Sequence, residues 1–275
     1  MASFLIAAAI AAASVAPVAA PGPAPAPPAI HIPDADPAIW VVNDQDTVIY
    51  LFGTFHALDG RTAWFNDEVE TAFDASDQLV LETVIPDHAA VAPRPAPALS
   101  LRPSPLATAS GSFLSSTRMA ISAGKARGMN VANGADVILR QAAEASGKPI
   151  SGLESFEYQL SMFGRVAAQP APATGAKQDL SSVGNLAIVM GQMQSAWNRG
   201  DSEIFEIMLE QMRVNSPASY DVMFTQRNSN WAGWIAQRLQ QPGTVFVAVG
   251  AGHLAGSDSL QAKLAELGIR SARIN

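Results

Sequence analysis

Two of the chain's four histidines stand in the same setting: VIYLFGTFH ends at His56, and TVFVAVGAGH ends at His253. Each follows an apolar, strand-forming run through a Gly-x-x-His step. An imidazole can carry a proton near neutral pH or bind a divalent ion. A glycine at the end of the run lets the backbone turn out of a sheet, so the ring emerges at the strand's carboxyl end, where open α/β sheets place ligands. A third candidate is Glu82, inside the apolar run QLVLETV. A carboxylate in a buried strand is costly unless it is paired, hydrogen-bonded, protonated or bound to metal. Two imidazoles and a carboxylate suit a catalytic divalent ion with open positions for water and substrate, or metal-free acid and base.

A fourth and fifth candidate come from one helix. After Ser216-Pro217, a cap and first-turn pair, Tyr220, Phe224, Trp231, Trp234 and Ile235 recur at steps of three and four, and Arg227 falls within their stripe. A guanidinium on an apolar face either packs its stem and meets a structural carboxylate, or reaches a site. In the second case Arg227 and its neighbour Asn228 would hold a substrate oxygen or a developing oxyanion.

These side chains need a sheet to aim them. AIWVVNDQDTVIYLFG reads as two strands joined by a turn at Asn43 to Asp46, and Gln78 to Val84 and Thr244 to Gly250 as buried strands. Between the second and third strands, a helix carries Trp64, Phe65, Val69 and Phe73 on one face. A last helix starts near Ser257 or Asp258, carries Leu260, Leu264 and Leu267, and ends at Gly268. Helical stretches fill 111–127, 135–146, 153–166 and 180–241 with breaks. The Met-rich runs IVMGQMQ and IFEIMLEQM, with Ile204, Phe205, Met208, Leu209 and Met212 on one side, read as core. The fold class expected is α/β: a mixed central sheet, paired strand-GxxH loops at its carboxyl ends, and a largely helical middle section.

The order of motifs, GTFH, LVLE, GADVIL, GKPISGLESFEYQL, QRNSNWAGWI and VFVAVGAGHLAG, resembles the TraB/GumN family, whose animal members are the Tiki proteases. The resemblance runs from about Ile39 to the C-terminus. It implies a fold akin to the erythromycin esterase and ChaN group, and a divalent-metal-dependent hydrolase, most simply a peptidase. Manganese or cobalt would be the favoured metal, with zinc admissible. His56, His253 and Glu82 match the family's metal and catalytic positions, Arg227 and Asn228 its Arg-Asn pair, and Glu154 a further acidic position, the first candidate for a ligand if Glu82 is the base. A non-catalytic periplasmic protein that captures a peptide or sugar is the alternative.

Composition bounds the rest. A net charge of −7, a pI near 5.0 and no basic run argue against nucleic acid. There is no cysteine for a nucleophile or a disulfide. Residues 1–20 have the pattern of a secretory signal, which implies a periplasmic or secreted protein with no stable membrane insertion beyond that segment. A Pro/Ala-rich linker follows at 21–37, and the domain at 38–275 carries Pro-rich insertions at about 85–110 and 167–178. His31 and His88 fall in such tracts and read as solvated. The partner expected is a peptide or small-molecule substrate.

Overall fold

Two apolar runs form the centre of the sheet. Thr47–Thr54 (β2) and Gly243–Gly250 (β5) lie parallel and adjacent, with Thr47 opposite Gly243 and Thr54 opposite Gly250. Both are covered on two faces, so their sequences are nearly continuous in Val, Ile, Leu and Phe instead of alternating. Ile39–Asn43 (β1) pairs antiparallel with β2 across a turn in which the Asp44 carboxylate accepts the N–H groups of Asp46 and Thr47. Gln78–Thr83 (β3) runs parallel to β5, Ile150–Glu154 (β4) parallel to β3, and Ala272–Arg273 (β6) antiparallel to β1. The order is β4-β3-β5-β2-β1-β6. This computed structural model describes residues 34–84, 118–167 and 183–275.

Helices cover both faces. They are Asp67–Asp74 (α1), 118–126 (α2), Ala135–Ser146 (α3), Phe156–Ala167 (α4), Val183–Trp197 (α5), Glu203–Asn215 (α6), Pro217–Tyr220 (α7), Gln226–Arg238 (α8) and Leu260–Glu266 (α9). The pleat of β5 divides the core. Phe246 and Ala248 join Phe52, Phe73, Trp64 and Trp197 on one face, and Val245, Val247 and Val249 join Ile49, Leu51, Trp231, Ile235 and Leu264 on the other. The expected α/β class, mixed sheet and helical middle are what the chain adopts.

Several expectations are corrected. Trp64 and Phe65 precede α1 and stack in an aromatic cluster with Phe52 and Phe73, because the acidic Asp67 and Glu68 form the helix's first turn. Residues 150–154 are a strand, so Glu154 ends β4 and does not start a helix. The last helix begins after Ser259, whose hydroxyl accepts the Ala262 N–H, and Leu267 is 54% exposed beyond its end. Ser216 makes no side-chain cap, although Pro217 does open α7. Within the stretch expected as a linker, Ala35 is buried and its N–H donates to the Ala63 carbonyl. The Met-rich runs are only partly core. Phe205 and Leu209 are buried, but Met190 and Met193 of α5 and Met208 and Met212 of α6 line a cavity where the helices bridge the sheet rim, a gap that unbranched thioethers suit. Residues 1–33, the Pro-rich insertion with His88, most of the 167–178 tract and the 111–117 end of the expected helix lie outside the described residues.

Candidate active site

Parallel pairing brings the carboxyl ends of β2, β3, β4 and β5 to one edge, and every candidate side chain stands there. The two Gly-x-x-His steps are neighbours offset by one residue, since Gly53 is opposite Val249 and Thr54 opposite Gly250. Their glycines serve close approach, not unusual torsion. Neither has positive φ, and Gly250 sits at φ −54°, ψ 137°. A Cβ on Gly53 would lie 3.1 Å from the Ala251 Cα. A Cβ on Gly250 would lie 3.1 Å from Glu82 Oε1, 3.4 Å from His56 Nε2 and 3.8 Å from His253 Cδ2. Three side chains therefore close around one backbone atom, and a methyl there would press on the Glu82 carboxylate.

His56 follows β2 by two residues. Its Nδ1–H donates to Asp136 Oδ1 at 3.1 Å, because a carboxylate can only accept. In the neutral ring Nε2 is thus the unprotonated nitrogen, on the side of Glu82 and Gly250. The Asp136 hydrogen bond raises the His56 pKa above its usual 6.5, against partial desolvation by the surrounding protein, while 62% of the side chain stays open to solvent. Asp136 was not singled out from sequence. It sits in the first turn of α3, where an acid is ordinarily read as complementing the helix dipole, and only the fold shows that Ala135 N–H bonds Phe55 O and sets that turn beside His56.

His253 is buried in a short 3₁₀ turn, Ala251–Leu254. Arg227 Nη1 donates to its Nε2 at 3.1 Å, and guanidinium cannot accept, so the ring proton is on Nδ1 and donates to Asn228 Oδ1 at 2.7 Å. Asn228 Nδ2 donates in turn to the His253 and Asp258 carbonyls, which fixes the amide's orientation. Burial pushes the His253 pKa down to about 3, so this imidazole is neutral.

Arg227 is 4% exposed. A π turn, Asp221–Thr225, precedes α8 and gives the helix one extra residue just before it. The Arg227 Nε donates to both Glu154 oxygens at 2.8 and 3.1 Å, its Nη2 to Glu82 Oε2 at 2.5 Å, and its guanidinium carbon lies over the Trp231 ring, 4.6 Å from the centroid. Glu82 Oε1 accepts the Gly250 N–H at 2.6 Å. Burial favours protonated Glu82, but His253, Arg227, His56 and that N–H outweigh it and hold the carboxyl down to about 2. Glu154 moves the other way: burial is its largest influence and raises it despite Arg227. One guanidinium therefore holds two carboxylates of different acidity.

Of the expected substrate-holding pair, Arg227 reaches the cavity and Asn228 is engaged behind it. Asn228 is 1% exposed and spends its amide on His253 and Asp258, so it positions His253. Arg227 does line the cavity, but two of its nitrogens are committed to carboxylates, as in the structural-carboxylate alternative. Glu154 lies behind it. His56, Glu82, Arg227 and His253 face a cavity of about 600 Å³ whose remaining wall is largely methionine and phenylalanine, including Met162, Met208, Met212 and Phe224.

A divalent ion would draw on His56 Nε2, Glu82 Oε1 and His253 Nε2. His56, backed by a carboxylate, has the pattern of a metal-ligating histidine. His253 does not fit, because Arg227 occupies its lone pair, and that guanidinium already brings positive charge to Glu82. Among the described residues, no group of three His, Asp or Glu side chains is disposed to hold an ion. As arranged, the set fits a buried guanidinium better than a three-ligand metal.

The sequence model described as the TraB/PrgY/gumN family matches residues 38–109 and 109–273. The chain is 33% identical over 134 residues to "Uncharacterized protein YbaP" of Escherichia coli strain K12, covering 48% of each chain, and equally to the protein of that name from Shigella flexneri. It spans about half the length of these curated relatives. No solved structure matches.

Proposed function

The chain belongs to the TraB/PrgY/gumN family, and from that premise we propose that it is an exported hydrolase that cleaves peptide or amide bonds with a water activated at the sheet rim. The observation that carries this reading is the convergence of His56 Nε2 and Glu82 Oε1 over Gly250, at the mouth of an apolar cavity, with Asp136 behind the imidazole. A water there would donate one hydrogen to His56 Nε2 and the other to Glu82 Oε1. As its oxygen attacks the scissile carbonyl carbon, its proton passes to His56, whose positive charge Asp136 stabilises. The carbonyl oxygen becomes an oxyanion in the positive potential of Arg227. His56 then gives its proton to the leaving nitrogen as the C–N bond breaks. Neutral His253, locked by Asn228, orients Arg227. Export rests on the pattern of residues 1–20.

A metal-dependent version of the same reaction is the second reading, favoured by the Asp136–His56 pairing and by the family resemblance. Manganese or cobalt would supply a bound water of lowered pKa, and it would require Arg227 to release His253. The test is hydrolysis of a mixed peptide library by the full chain, with and without chelator and added Mn²⁺ or Co²⁺. Under the primary reading, turnover survives chelation and falls by about 10²- to 10⁴-fold in His56→Ala and in Glu82→Gln. Chelation that stops turnover supports the metal reading. Binding of a peptide or sugar without turnover would leave the non-catalytic alternative.

A further inference from the structure

We infer that the substrate crosses His56, with an apolar portion in the methionine-lined cavity and a carboxylate in a second, basic cavity on the other side. The cleavage it implies rests on the hydrolase reading; the binding does not. This second cavity, of about 580 Å³, shares His56, Ala57 and Met190 with the first and is otherwise walled by α2 and the turn after it, including Ile121, Lys125 and Met129. The histidine is thus a partition between two pockets of similar size, as expected where a bond is cut in the middle of an extended chain and not at its end.

The two pockets differ in charge. Lys125 lines the second, the Arg61 guanidinium comes within 3.9 Å of where a Cβ on Gly128 would stand, and Arg127 packs over Gly191 beside Met190. Among the described residues, no carboxylate forms an ion pair with any of these three cations. Asp59 accepts the Arg61 backbone N–H, and Asp136 is held by His56. In a chain of net charge −7, three cations that have no ion-pair partner among the described residues and stand beside the reacting centre select an anionic group on the substrate. A peptide offers it as a terminal or side-chain carboxylate.

The probe is a fluorescein-labelled hexapeptide rich in Leu and Phe, made as the C-terminal acid and as the C-terminal amide. Anisotropy would measure its affinity for full-length His56→Ala, which does not turn it over. The acid should bind about fivefold more tightly than the amide. That preference should shrink with added salt and vanish in His56→Ala/Lys125→Ala, where affinity for the amide is retained. Moving the carboxylate to a side chain separates the two sources. Equal affinities, no binding of either peptide, or a preference untouched by Lys125→Ala overturns the inference. Cleavage of both peptides by the wild-type chain without any preference would sink the basic subsite alone; a preference without cleavage would sink the hydrolase reading alone.

Discussion

Asp136 and Arg227 are the residues whose removal separates chemistry from scaffold. Asp136 raises the His56 pKa above 6.5 by accepting its Nδ1–H. If neutral His56 is the base, kcat/KM must rise with pH through that raised value. In Asp136→Asn the rise should move to lower pH and the plateau should fall, because the ring is no longer held in one tautomer; a pH–rate profile of the two proteins checks this. Arg227 is a different case. Arg227→Met leaves Glu82 and Glu154 buried without their shared countercharge and should cost about 3–5 kcal/mol of stability in denaturant unfolding. Arg227→Lys should not restore it, since an ammonium cannot reproduce the fork that spans Glu154, Glu82 and His253.

At the scale of elements, the two strand-Gly-x-x-His units predict contrasting glycine variants. Gly250→Ala has an allowed φ and ψ, so folding should change little, while the new methyl crowds Glu82 and His56 and peptide turnover should fall by about tenfold or more. Gly53→Ala instead pushes on the Ala251 backbone and should destabilise by about 1–3 kcal/mol in thermal melts. The units themselves were legible in sequence, because an apolar run ending in Gly-x-x-His is local. So was Glu82, through the cost of a carboxylate in an apolar strand. The reason for the glycines was not legible, since it depends on Glu82 and His56 reaching across from other strands. The Arg227–Glu154–Glu82 network was hidden for the same reason. Arg227 could be flagged on its helical stripe, but its partners are 73 and 145 residues away. The methionines of α5 and α6 line a cavity that their spacing does not reveal, because periodicity shows which face of a helix is apolar, not whether a packed neighbour or a cavity lies opposite.

For the whole molecule, the buried cluster links stability to acid. His253 titrates at about 3 in the folded chain against 6.5 ordinarily, so its contribution is full above pH 6.5 and lost as pH falls from there toward 3. Glu82, at about 2 against 4.5, adds a contribution lost between those values on further acidification. His56, raised, acts in the opposite sense and loses its contribution as pH rises through its folded pKa. The net expectation is a melting temperature that falls below pH 6.5, and falls less in His253→Gln; the same slope in that variant would mean that another group carries it. The sheet topology gathers this cluster at one edge, and the cavities flank it there. The measurement that tests the central claim most directly is mass-spectrometric detection of products from a mixed peptide library incubated with the full chain and with His56→Ala. Cleavage by the wild type that disappears in His56→Ala at unchanged melting temperature is the predicted result. Identical products from both proteins, or none from the wild type with or without added Mn²⁺ and Co²⁺, would contradict it.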